Sequence, residues 1–190
     1  MAEPIRDPQA VAVLGLYQSY REAGKTIWLD TRGTSMRPLV GPGGRMLVEF
    51  GPRPAQVGDI VLFERAGTIV AHRVVGRRER DGREQLVVKG DNEAYFDPPI
   101  GQADVLGIVL GLKGAETAPL VQRGVGGRSA RVIARVSRWS GRGARLAHRF
   151  AVRTPDPIRG AALRAIPSLA RVSTRLIVAP ITQEHGAGRR

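Results

Sequence analysis

Hydrophobic residues along the chain fall into short runs separated by glycine, proline and Asp-Gly, and only the two ends depart from that rhythm. Met46 to Phe50, Asp59 to Glu64, Thr68 to Arg77, Gln85 to Lys89 and Val105 to Leu112 are rich in valine, isoleucine and leucine, and Thr26 to Asp30 precedes them. Runs of this length bounded by turn residues predict strands. Between two of them, Arg80-Asp81-Gly82-Arg83 is a hairpin signal. Five or six strands with no long helix between them predict a compact, mostly β, antiparallel domain. Ahead of it, Gln9 to Ala23 carries Val11, Val13, Leu14, Leu16, Tyr17 and Tyr20 at spacings that suit an amphipathic helix ended by Gly24, covering one side of the sheet.

After Gly124 the period changes. Arginine recurs at 128, 131, 135, 138, 142, 145 and 149, steps of three and four that put it on one side of a helix, with Val132, Val136, Trp139, Leu146 and Phe150 on the adjoining side. Gly141 and Gly143 each weaken a helix by about 1 kcal/mol relative to alanine, which predicts a break near them. Pro155 and Pro157 end this element, and Ile158 to Val178 is expected to form a second, broken by Pro167. The chain thus divides into a helix over residues 1–25, a β domain over 26–115 and a basic, partly helical extension over 116–190.

Charge sharpens that division. Residues 1–120 hold 15 Lys+Arg and 15 Asp+Glu, whereas residues 121–190 hold 15 Arg against Asp156 and Glu184 alone, so the net +13 belongs to the extension. A block of this kind suits either a solvated, partly disordered basic extension or a helix on an anionic membrane surface, and nucleic acid ranks behind both because no winged or helix-turn-helix pattern precedes the β domain. There is no cysteine, which excludes disulfides, thiol catalysis and cysteine metal sites. No apolar run approaches the ~18 residues of a membrane span, and Glu3, Arg6 and Asp7 do not suit a secretion signal. The expected location is cytoplasmic, peripheral at the membrane.

Candidate chemistry begins at Gly33-Thr34-Ser35-Met36-Arg37-Pro38, directly after the first strand. A serine flanked in this way by glycine and proline sits on a tight turn, exposed enough to act as a nucleophile. Its hydroxyl needs a base within ~3 Å. On the strand Thr68 to Val75, the two-residue period puts His72 on the face of Val70 and Val74, opposite Arg73. Imidazole is already a base near neutral pH, whereas a lysine would have to be depressed by about 3 units. Lys89 therefore reads as a strand-end residue that shapes the following turn.

Taken in order, Ser-Met-x-Pro (Ser35 to Pro38), Gly-Asp-Ile-Val (Gly58 to Val61), His-Arg-Val-Val (His72 to Val75) and Lys-Gly-Asp-Asn (Lys89 to Asn92) resemble the signal peptidase I superfamily, which also contains the self-cleaving LexA-type repressors. Histidine rather than lysine at position 72 resembles its endoplasmic-reticulum and archaeal branch. The resemblance covers residues 26–112 and implies a coiled β architecture. It also implies a serine endopeptidase that cleaves a protein or peptide precursor without a cofactor, with Ser35 as nucleophile and His72 as general base. Asp91 and Asp97 match two aspartates of that branch; Asp91 is the favoured partner of the imidazole, with Asp97 second in the network or structural.

The oxyanion donors are expected to be the Ser35 backbone N–H and the Thr34 hydroxyl. Gly33 stands where many bacterial members place a hydroxyl, and a missing donor typically costs ~3 kcal/mol in the transition state, which suits a slow enzyme. Gly33, Met36, Pro38, Leu39 and Val70 are expected to line the substrate groove, with an extended peptide pairing against the sheet near Ser35 and Val70. No His, Asp and Glu arrangement has metal-ligand spacing. The competing expectation is a non-catalytic peptide-binding module tethered to membrane or nucleic acid by its basic tail.

Overall fold

A computed structural model of the chain describes residues 8–51, 53–114 and 128–151. Seven strands form one antiparallel sheet: β1 (Thr26–Asp30), β2 (Arg45–Glu49), β3 (Ile60–Arg65), β4 (Thr68–Arg80), β5 (Arg83–Lys89), β6 (Ile100–Gly101) and β7 (Gly107–Lys113). Their spatial order is β1-β2-β7-β3-β4-β5-β6. Helix α1 (Pro8–Glu22) precedes the sheet and α2 (Arg128–Ala151) follows it. The mostly β class, the antiparallel sheet and the two flanking helices agree with the sequence pattern. Among the described residues no helix is long and apolar enough to cross a membrane.

The hairpin joining β4 and β5 turns at Asp81 and Gly82, whose φ angles of 53° and 69° are both left-handed. That pair of angles favours Asp-Gly and matches the twist of the flanking strands, so the turn fixes the Arg80–Arg83 register. β6 was absent from the expected strands, since two residues carry no periodicity. It pairs Ile100 with Leu86 at the far edge.

Two apolar clusters pack against the sheet. One gathers Val48, Phe50, Ile60, Leu62, Val109 and Leu112, and α1 lays Leu14, Tyr17 and Tyr20 on it, with the Tyr17 and Tyr20 rings 5.3 and 5.6 Å from that of Phe50. The other gathers Val61, Phe63, Val74, Leu86, Val88, Ile100 and Ile108. β3 and β4 divide the two: in their register Val61 faces His72 and Leu62 faces Ala71, so alternate residues feed opposite clusters.

Helix α2 runs unbroken from Arg128 to Ala151, so the break expected near Gly141 and Gly143 is absent. At Gly141 tertiary contact overrides propensity. A Cβ there would stand 2.7 Å from the Phe96 ring, so only glycine lets the helix approach that closely. Buried Ala134, Ser137 and Ala144 continue the same seam, and Ala144 meets Ala94. Pro155, Pro157 and the second helix expected over 158–178 lie outside the described residues.

Candidate active site

The serine loop spans residues 31–44 between β1 and β2, and its two ends are tied together. Thr31 N–H donates to the Gly44 carbonyl (2.8 Å) and Gly43 N–H to the Thr31 carbonyl (3.0 Å). The buried Thr31 hydroxyl shares its single proton between the carbonyls of Gly41 and Gly44. Within the loop, Arg37 N–H to Thr34 and Val40 N–H to Met36 form successive turns. Ser35 is half-buried on the first of these, while Met36 reaches back into the α1-side core.

The loop is docked from outside by Asn92. Its N–H donates to the Ser35 carbonyl (2.7 Å) and its side-chain amide to the Thr34 carbonyl (3.0 Å). Because a trans peptide points N–H and C=O in opposite directions, the bond to the Thr34 carbonyl also sets the direction of the Ser35 N–H.

Gly90 lies between serine and histidine. A Cβ built on it would fall 2.9 Å from the Ser35 carbonyl oxygen and 3.1 Å from Nε2 of His72, so both border the space of one methyl group. His72 is fully buried, its ring edge-on to Phe63 at 6.0 Å. Its Nδ1 is hydrogen-bonded to Oδ2 of Asp97 at 2.6 Å. Among the described residues, His72 Nε2 is the one buried side-chain nitrogen or oxygen with no hydrogen-bond partner.

The Ser35 hydroxyl is not turned onto that nitrogen. Catalytic hydrogen bonds in unliganded sites commonly stand open and close around bound substrate.

Asp97 is placed by its own backbone, since its N–H donates to the Val88 carbonyl at 3.0 Å and folds the segment after β5 back along that strand. Its other oxygen accepts from Arg65 Nη1 at 2.5 Å. Burial works to raise this carboxyl, but the hydrogen bond and charge of His72, and then those of Arg65, outweigh it and hold Asp97 below the ordinary carboxylate value. The acid facing the imidazole is therefore ionised and doubly held.

The favoured role for Asp91 is corrected by this geometry. Asp91 is wholly buried against Arg73, accepting from Nε at 2.9 and 3.2 Å and from Nη2 at 2.8 Å, while Nη1 of the same arginine donates to the Gly58 carbonyl at 2.8 Å. Arg73 and His72 are consecutive in β4 and point to opposite faces, so the aspartate that pairs with one cannot reach the other. Gly-Asp-Ile-Val and Lys-Gly-Asp-Asn are thus joined through Arg73, and the latter reaches Ser-Met-x-Pro through Asn92. All four motifs meet at one place.

Lys89 is fully buried, and its Nζ donates to Ser137 Oγ of α2 (3.1 Å) and to the Gly90 carbonyl (3.3 Å). Burial pushes its pKa down to about 8 against the upward pull of Asp91, Glu93 and Asp97. It props the turn that carries Gly90, in keeping with the structural role expected of it.

Of the groove residues, Gly33, Thr34 and Pro38 are exposed beside Ser35, Val70 is half-buried, and Leu39 packs against the core. Met36, only 4% exposed, belongs to the core rather than to a substrate surface, because the turn after Ser35 directs its side chain inward to the cluster that also holds Val40 and Met46. No group of His, Asp and Glu among the described residues could hold a metal ion. Sequence reasoning missed Arg65 and Ser137, which act across 32 and 48 residues and carry no local signal. Compared with protein-family models, curated proteins and solved structures, the chain matches none.

Proposed function

We propose that this chain is a serine endopeptidase that cleaves a protein or peptide precursor, with Ser35 as nucleophile, His72 as general base and Asp97 as the group that orients the base. One observation carries the reading: a buried imidazole held at Nδ1 by an ionised carboxylate, with Nε2 unpartnered at the border of the Ser35 turn. A buried polar atom without a partner costs on the order of 1–3 kcal/mol, and a fold that keeps one at this place is holding a proton acceptor in readiness.

The chemistry follows from the geometry. Asp97 takes the Nδ1–H hydrogen bond, so the neutral ring carries its lone pair on Nε2. When an extended peptide lies along the loop, Ser35 Oγ bonds to the scissile carbonyl carbon and its proton passes to Nε2. The tetrahedral intermediate collapses as Nε2 returns that proton to the departing amine. Water, deprotonated by the same nitrogen, then breaks the acyl ester and restores the serine. Through these steps the Ser35 N–H, with the Thr34 hydroxyl beside it, faces the developing oxyanion. A maturation role at or near a membrane surface fits the basic extension.

The test is processing of a panel of precursor proteins and extended peptides by the wild type and by Ser35→Ala and His72→Gln. Cleavage by the wild type that is lost in both variants is the expected result. Either variant cutting at the wild-type rate would overturn the assignment. A wild type that binds peptides yet cuts none would favour a non-catalytic peptide-binding module.

A further inference from the structure

Helix α2 has two opposed faces, and only one is used by the fold. Ala134, Ser137, Gly141 and Ala144 are buried, and at about 100° per residue they share one side. Val132, Trp139 and Leu146 stand seven residues apart on the opposite side and are 48%, 71% and 56% exposed. Exposed Arg131, Arg135 and Arg142 run alongside them. A helix that merely covered a domain would turn polar residues outward, whereas here a tryptophan and two aliphatic side chains occupy the middle of the solvent face.

We propose that this outward face of α2 docks on an anionic lipid surface, with Val132, Trp139 and Leu146 entering the boundary between headgroups and acyl chains and the arginines meeting lipid phosphates. Charge selects that occupant. The face carries arginine without acidic residues among its exposed positions, and residues 121–190 carry a net +13, so a second copy of the chain would bring like charge against like. Lipid phosphate neutralises it instead, and juxtamembrane basic residues contribute about 1 kcal/mol each on such surfaces. Nucleic acid would satisfy the arginines but leave the apolar stripe in water. A tryptophan flanked by arginines on a helix lying flat is what an interface rewards.

The inner face gives the docking a consequence, which rests on the peptidase reading. Ser137 accepts from Lys89, the residue before Gly90, and Gly141 holds Phe96, the residue before Asp97. Arg138 lies over Gly76 of β4, its guanidinium carbon 3.0 Å from where a Cβ would stand. A bilayer under the outward face therefore holds the Ser35 and His72 site at a fixed orientation to the surface and favours substrates tethered there.

The test uses full-length Ser35→Ala protein, so that docking is read without catalysis. Flotation is measured with phosphatidylcholine vesicles, with mixed phosphatidylcholine and phosphatidylglycerol vesicles, and with duplex DNA as competitor. We expect binding to the mixed vesicles alone, weakened at least about tenfold by Trp139→Ser combined with Leu146→Ser at exposed positions that leave the fold intact by circular dichroism. Unchanged vesicle binding in the double variant would overturn the proposal, because the arginines elsewhere in the extension would then suffice. Absence of binding to the mixed vesicles, or displacement by DNA at equal phosphate concentration, would overturn it as well. Vesicle binding that persists while Ser35→Ala or His72→Gln cuts precursors at the wild-type rate would leave the docking face standing and remove only the enzyme reading.

Discussion

Two acid-base pairs stand back to back on β4, and they are built to opposite specifications. Arg73 and Asp91 satisfy each other: three nitrogen-to-oxygen contacts run between them and a fourth runs from the arginine to the Gly58 carbonyl. His72 and Asp97 share one hydrogen bond, and the ring's second nitrogen is left without a partner. Both pairs are buried, so both carry a desolvation cost. In the first that cost is offset by saturation, and the pair fastens the motifs together. In the second it is left partly unmet, and what remains is an unpartnered ring nitrogen at the border of the Ser35 turn.

Breaking each pair should expose the difference. The largest effect is expected at Asp97→Asn, where the side-chain amide can donate to Nδ1 and drive the ring proton onto Nε2. Peptide hydrolysis should fall roughly 10³- to 10⁴-fold, read as kcat/KM, while thermal unfolding moves little. Next comes Arg73→Met, which strands Asp91 as a buried charge and should lower unfolding stability by about 3–5 kcal/mol in a denaturant titration. Adding Asp91→Leu should recover most of that loss, because removing both charges removes the penalty, whereas no second change at Arg65 should rescue Asp97→Asn.

Gly90→Ala is smaller but informative, since its methyl would press on the Ser35 carbonyl and on Nε2 together. It should cost about 1–3 kcal/mol in stability and depress cleavage well beyond that, as the methyl crowds Glu93, the Ser35 carbonyl and Nε2 at once. The smallest effect concerns Lys89, whose value of about 8 lies below its ordinary 10.5 because it is buried. The folded chain gives up this proton before the unfolded chain does, so stability rises as pH climbs between those two values. Wild type should gain about 2 kcal/mol on a Lys89→Met variant between neutrality and about pH 9.5, measured by unfolding at each pH.

Much of this architecture was legible in the sequence for a physical reason. The strands are short apolar runs between turn residues, and Asp81-Gly82 specifies a hairpin through φ angles that few other pairs adopt. That His72 and Arg73 face opposite sides followed from the two-residue period, whereas the choice of His72 came from the motifs around it. The choice between Asp91 and Asp97 did not follow, because it depends on the segment after β5 folding back to bond Val88, which no local pattern encodes. The unbroken helix was hidden for the converse reason, since Gly141 looks like a defect until Phe96 is seen against it.

The central claim, that His72 keeps its proton toward Asp97 and offers Nε2 to Ser35, is tested most directly by nitrogen-15 NMR of histidine-labelled full-length protein, with His72→Gln assigning the ring among three histidines. The account predicts that the uncharged form of the ring carries its proton on Nδ1 and leaves Nε2 free, and that the Nε2 resonance moves when Ser35 is replaced by alanine. A proton resident on Nε2 of the neutral ring, with no response to Ser35→Ala, would contradict it.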